Sequence, residues 1–221
     1  MYRRILACLL LCALLSHDSY GSSAGILGVV TQSFKGHVGS AAVSAGATIY
    51  VGDRLSTEAD GRVWLRSDAT QVVLNGHTTA TLQGKAGALS INLLDGTLSF
   101  STLHNGLIQV AAMGADIRPA SEAPANADIT VAGPAALRIF ARRGALKFSY
   151  GGESEVIAEG LRVRIVLDPP DPQGPKGAGT ATPPLNSHRR FLVLALAGAG
   201  AAAAAAVWVI THQQQESPDK P

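Results

Sequence analysis

Glu153, Glu155 and Glu159 are the residues whose type and spacing come nearest to doing chemistry. Clustered carboxylates can work as general acid and base or can hold calcium. Glu153 and Glu155 project to the same face of a strand, but Gly160 and Leu161 open a turn without the oxygen-rich loop that a calcium site needs. Arg142, Arg143, Arg162 and Arg164 lie nearby in the chain, so cross-strand ion pairing on a wet face is the expectation for these glutamates. Six histidines occur: His17, His37, His77, His104, His188 and His212. None has another His, Cys or paired carboxylate at a ligand-like spacing, so no metal is expected. Ser44 sits in Ala-Val-Ser-Ala-Gly, which lacks the first glycine of a nucleophile elbow. Gly198, Gly200 and Ala203 match the letters of a dinucleotide fingerprint, but the residues after them hold no second strand for a βαβ unit. These residues imply no catalytic constellation and no cofactor. A glycan-processing enzyme would need a carboxylate pair in a groove, and Glu155 and Asp95 are the carboxylates whose replacement would test for one.

The elements that would position such groups are legible between Gly46 and Gly61, in GATIYVGDRLSTEADG. A short apolar strand over Thr48 to Val51 runs into a Gly52-Asp53 turn. A second run, Leu55 to Thr57, follows, and an Asp60-Gly61 turn then opens a strand over Arg62 to Arg66. Glycine tolerates positive φ and Asp can bond its own neighbouring amides, so the pairs punctuate a compact β structure. Asp53 reads as a turn-capping carboxylate before it reads as a ligand contact. The ordered set Gly46, Gly52, Asp53, Thr57, Asp60 and Gly61 resembles the core motif of the FecR family of bacterial envelope proteins. The resemblance runs from about Gly28 to Gly84, with an echo near Gly144 to Leu167. It implies a β-rich, partly solenoid-like extracytoplasmic domain, and a role in contacting other envelope proteins or in signalling to sigma factors.

Strand-like runs recur through residues 22–168: Ile26–Thr31, Ala47–Val51, Arg62–Arg66, Thr70–Leu74, Thr78–Leu82, Ala88–Leu93, Thr97–Ser101 and Leu107–Ala112, then Ile129–Ala132, Ala136–Ala141, Ala145–Tyr150 and Arg162–Leu167. Turn pairs such as Asn75-Gly76 and Asp95-Gly96 separate many of them. Several runs alternate, as in Val63 and Leu65 against Trp64 and Arg66, which marks strands with one dry and one wet face. The expected fold class is all-β: a twisted β-roll, solenoid-like body of short strands, with one C-terminal transmembrane helix. Residues 22–118 read as a FecR-like domain, 119–127 as a loop and 128–168 as a smaller β lobe on the same core.

The two ends carry membrane signals. Arg3 and Arg4 precede an apolar run from Ile5 to Leu15, and small residues follow, which is the layout of a signal peptide over 1–21. Both cysteines, Cys8 and Cys12, lie inside it, so the exported part would contain none. A lipoprotein reading is weaker, because Leu11 stands before Cys12 where a small residue is wanted. Residues 191–211 form an uncharged run whose helix would be about 31 Å long, enough to cross a bilayer. Gly198 and Ala202 could let two such helices self-associate. Residues 169–190 hold six of the eleven prolines and read as a linker, followed by a short polar tail over 212–221. The leader puts the body outside the cytoplasm, whereas Arg189 and Arg190 beside the span point the other way. The alternative is a cytosolic body on a tail anchor.

From Ser22 onward, sixteen Lys and Arg stand against fifteen Asp and Glu. Arg62 with Arg66, and Arg142 with Arg143, read as no basic stripe with aromatic interleaving, so nucleic acid is not an expected partner. The reading is a non-enzymatic, membrane-anchored envelope protein that acts through other envelope proteins. A sensory component of a transmembrane signalling system is the second reading. Known FecR-type sigma regulators carry a cytoplasmic anti-sigma domain where this chain has a leader, so the envelope-contact implication carries over before sigma-factor control does.

Overall fold

A computed structural model describes residues 25–85, 87–103, 107–167 and 191–195. The expected leader, linker and most of the expected membrane span lie outside them. The described elements are all strands. The first half runs β1 (Ile26–Val38), β2 (Ala41–Ala42), β3 (Thr48–Tyr50), β4 (Arg54–Ser67), β5 (Thr70–Leu74), β6 (Thr79–Lys85), β7 (Ala88–Asp95) and β8 (Thr97–Thr102). The second runs β9 (Leu107–Ala112), β10 (Ala115–Pro119), β11 (Ala125–Val131), β12 (Ala136–Arg143), β13 (Leu146–Tyr150), β14 (Glu153–Ile157), β15 (Arg162–Leu167) and β16 (Phe191–Ala195).

Alternation explains how these runs make one sheet. Val63 and Leu65, Leu98 and Phe100, Ile129, Leu137 and Ile139, and Val163 and Ile165 are buried, and the residues between them face out. The sheet runs in the order β14-β13-β10-β9-β7-β6-β4-β5-β8-β11-β12-β15-β16 and curls into a half-barrel over one core. Neighbours pair antiparallel except β7 with β9, which are parallel. The all-β expectation therefore holds, but the form is a curled meander and not a stack of solenoid coils. The expected 119–127 loop is shorter in the structure, since β11 already begins at Ala125.

β4 connects the two arms of the curl. Arg54–Ser56 pair with β6, whereas Val63–Ser67 pair with β5. The expected Asp60-Gly61 turn does not divide two strands. Both residues lie inside β4, in a bulge over Glu58–Gly61 that β1 bridges with Lys35 alone. Such a bulge bends the strand and lets it change partners. A Cβ on Gly61 would stand 2.6 Å from the Lys35 carbonyl oxygen, which is why glycine occupies the bend.

The beginning of the expected membrane helix is also corrected. Phe191–Ala195 pair antiparallel with β15, with Phe191 opposite Leu167 and Ala195 opposite Val163. Phe191 is buried, and its ring meets that of Phe148 edge-on at 5.0 Å. Phe-Leu-Val-Leu suits a strand as well as a helix, and apolarity alone does not separate the two. The open backbone edge of β15 decides for the strand. Residues 196–211 are outside the described set, and no helix among the described residues is long and apolar enough to cross a membrane.

Candidate functional site

The motif residues are spread along β4 and the turns that precede it. Gly46 and Gly52 hold φ of +89° and +93° in tight turns. The Asp53 carboxylate accepts the Tyr50 amide at 2.8 Å, and the Gly52 amide donates to the Leu82 carbonyl at 2.8 Å. Thr57 is buried; its hydroxyl donates to the Asn75 carbonyl and accepts the Thr78 amide at 3.0 Å. The Thr78 hydroxyl in turn donates to the Thr97 carbonyl at 3.0 Å and accepts its amide at 2.9 Å. This hydroxyl relay satisfies buried backbone groups where β4, β6 and β8 approach one another. Its chemistry is structural.

Asp60 leaves this cluster and takes Lys35 at 2.6 Å. The Lys35 hydrogen bond holds the Asp60 carboxyl below its ordinary range, and the same bond raises the Lys35 ammonium. Any stability from Asp60 is thus present at neutral pH and lost as pH falls through its depressed pKa. Any from Lys35 is lost as pH rises through its raised one. Both groups are solvated, so screening keeps the effect small.

The glutamate cluster does not form the expected ion pairs. Glu155 stands opposite Phe148 and Glu153 opposite Tyr150, on the core-facing side of the β14 edge. Glu159 accepts the Gly144 amide at 3.1 Å. That bond puts Glu159 at the end of β12, next to Arg143, whereas Arg142 on the outer face takes Asp128 at 2.6 Å. Among the described residues no group of three His, Cys, Asp or Glu could hold a metal ion.

That outer face carries what sequence reasoning missed. Register places Thr97, Thr130, Arg138 and Arg164 in one row across β8, β11, β12 and β15. A second row holds Ser99, Asp128, Phe140 and Arg162. The Arg142 and Arg162 guanidinium groups lie 5.0 and 4.5 Å from the Phe140 ring centre. On β4, Arg62 covers Trp64 at 5.6 Å. Basic and aromatic residues are therefore interleaved, contrary to the sequence expectation. The available signal was the period-two series Arg138, Phe140, Arg142 on one run and Arg162, Arg164 on another. A shallow hollow of about 450 Å³ lies over these rows.

A second surface is the sheet edge. β16 reaches β15 only after residues 168–190, far more chain than an antiparallel hairpin requires. The β15 edge thus holds a strand delivered from a distance.

No family model matches the sequence, and neither does any curated protein. Three solved chains match in structure. Two of them are crystal structures of a "putative anti-sigma factor" from Parabacteroides distasonis, at 13% and 12% identity and a TM-score of 0.44 in each case. Each match covers 51% of this chain and 54% of the other, so the chain spans about half the length of the structures it matches. A likeness at that level assigns neither a family nor a function.

Proposed function

We propose that the chain is a non-enzymatic binding module of the bacterial envelope, anchored through the apolar residues that follow β16, that engages protein partners by strand addition at the β15 edge when β16 leaves it. The observation that carries this reading is β16: the β15 edge holds an apolar strand delivered across a long connection, with an aromatic side chain seated in the core. Main-chain bonds supply affinity in such pairing, and the seat for every second side chain supplies selectivity. The FecR-like resemblance of the motif and the leader-like layout of residues 1–21 support the placement of the body outside the cytoplasm. Protease added to intact spheroplasts should digest the body; full protection with an uncleaved leader would establish the tail-anchored alternative. Turnover of a glycan substrate that disappears in Glu155→Gln or Asp95→Asn would overturn the non-enzymatic part.

Edge capture is directly testable in the detergent-extracted full-length chain. Val193 packs against the core from β16, so Val193→Asp should undock the strand. That variant should bind a fluorescent peptide bearing Phe-Leu-Val-Leu-Ala about tenfold more tightly than the native chain, because the cis strand no longer competes. Ile165 and Val193 stand directly opposite. In a Cys8→Ser, Cys12→Ser background, the oxidised Ile165→Cys, Val193→Cys pair should exclude the peptide. Failure of Val193→Asp to take up peptide would show that the edge accepts only its own strand.

A further inference from the structure

We propose that the outer face over β8, β11, β12 and β15 binds an anionic polysaccharide, with Arg138, Arg162 and Arg164 gripping its acid groups. Arg138 and Arg164 are direct cross-strand neighbours. Their Cβ atoms are then about 5 Å apart, and like charges so placed oppose folding. Among the described residues none of the three arginines has a carboxylate partner: the ion pairs are Arg142 with Asp128 and Lys35 with Asp60. Two unneutralised guanidinium forks on adjacent strands are instead suited to share an oxyanion, which each can bind bidentately.

Position argues for the ligand class. Arg162 and Arg164 alternate along β15, roughly 7 Å apart, so the charges are spread and no single small anion spans them. The rest of the two rows holds three hydroxyls, Thr97, Thr130 and Ser99, at the interstrand spacing of about 4.8 Å, together with Phe140 and the Asp128 carboxylate, whose charge Arg142 balances. A polymer that carries hydroxyls as well as acid groups matches that sequence of side chains. A nucleic acid strand matches it poorly, because base stacking needs free aromatic faces. Here Phe140 is covered by Arg142 and Arg162, and Trp64 by Arg62. An acidic peptide would find few groups for its backbone on a sheet face, whose amides and carbonyls are already paired.

The test uses the full-length chain in detergent and labelled oligogalacturonate as the probe. Native protein should bind it, with affinity falling as salt rises. Arg138→Gln with Arg164→Gln should weaken binding by about tenfold or more, the loss expected for charge-assisted bonds. Arg118→Gln with Lys147→Gln, on the other arm, should leave it unchanged. The Arg138→Gln, Arg164→Gln chain should melt no lower than native, since it loses a repulsion, so misfolding cannot account for lost binding. Absence of binding by the native chain overturns the site. Equal affinity for polyglutamate or oligothymidylate, or equal loss in both double variants, overturns the ligand class in favour of unselective charge attraction. None of these outcomes depends on the β15 edge, so this site and strand capture stand or fall separately.

Discussion

Phe148→Ala should lower the unfolding free energy by about 3–5 kcal/mol, the range for truncating a buried phenylalanine, and should release β16 in the same step. Phe148 is fully buried on β13, opposite Ile117 of β10. Its ring is also the partner of Phe191 at an interplanar angle of 73°, the edge-to-face arrangement that aromatic pairs favour. β13 and β16 lie near opposite ends of the strand order, so this contact joins the two arms of the half-barrel. Truncation leaves a void that neither arm can fill without closing the curl further. Phe191→Ala removes the other half of the pair, yet β16 is terminal in the sheet, so the body should survive its departure. Urea denaturation should show a large loss for Phe148→Ala and a small one for Phe191→Ala. Hydrogen exchange should show faster exchange over residues 163–167 in both. Unchanged protection of β15 in either variant would mean that backbone pairing alone holds β16, and that the ring pair is not the latch.

Other segments show where sequence reading succeeds and where it stops. Thr70–Leu74 and Leu107–Ala112 are read with their observed bounds, because period-two alternation between turn residues is a local signal. β10 goes unread: Ala-Asp-Ile-Arg-Pro offers one large apolar residue and ends in proline, and its pairing comes from β9 and β13. Asp60-Gly61 is read as a turn because the dipeptide favours one. That a four-residue bulge forms there depends on β1 arriving alongside. The arginine face was visible only in halves. Arg138 and Arg164 are brought together by β12–β15 pairing, and Ser99 and Asp128 by β8–β11 pairing, which no local pattern reports. Phe191–Ala195 is the converse case. A strand-length run embedded in a helix-length one carries two valid local readings, and pairing with β15 selects between them.

Glycine replacement should separate the conformational role of the motif from the close packing around it. Gly52→Val and Gly96→Ala both place a side chain at positive φ, +93° and +86°. At Gly52 a new Cβ meets nothing within 4 Å. The penalty is backbone strain alone, about 1–3 kcal/mol. Asp53→Asn should cost less, because an amide oxygen can still accept the Tyr50 amide. At Gly96 a Cβ would fall 2.4 Å from the His77 carbonyl oxygen and 2.5 Å from the Thr78 Cα. Those are backbone atoms, and they carry the Thr78 hydroxyl that bonds both main-chain groups of Thr97. Gly96 is moreover the residue at which the chain leaves β7 in one arm and enters β8 in the other. Strain, overlap and loss of the hydroxyl relay therefore act together, and Gly96→Ala should exceed about 4 kcal/mol, a level that single substitutions rarely reach. Thermal melts of the full-length chain in detergent should place Gly96→Ala well below Gly52→Val, and Gly52→Val below Asp53→Asn. If Gly52→Val were the more damaging, the Gly52-Asp53 turn would be holding something beyond its own backbone geometry, and the crossing at Gly96 would be more tolerant than its packing implies.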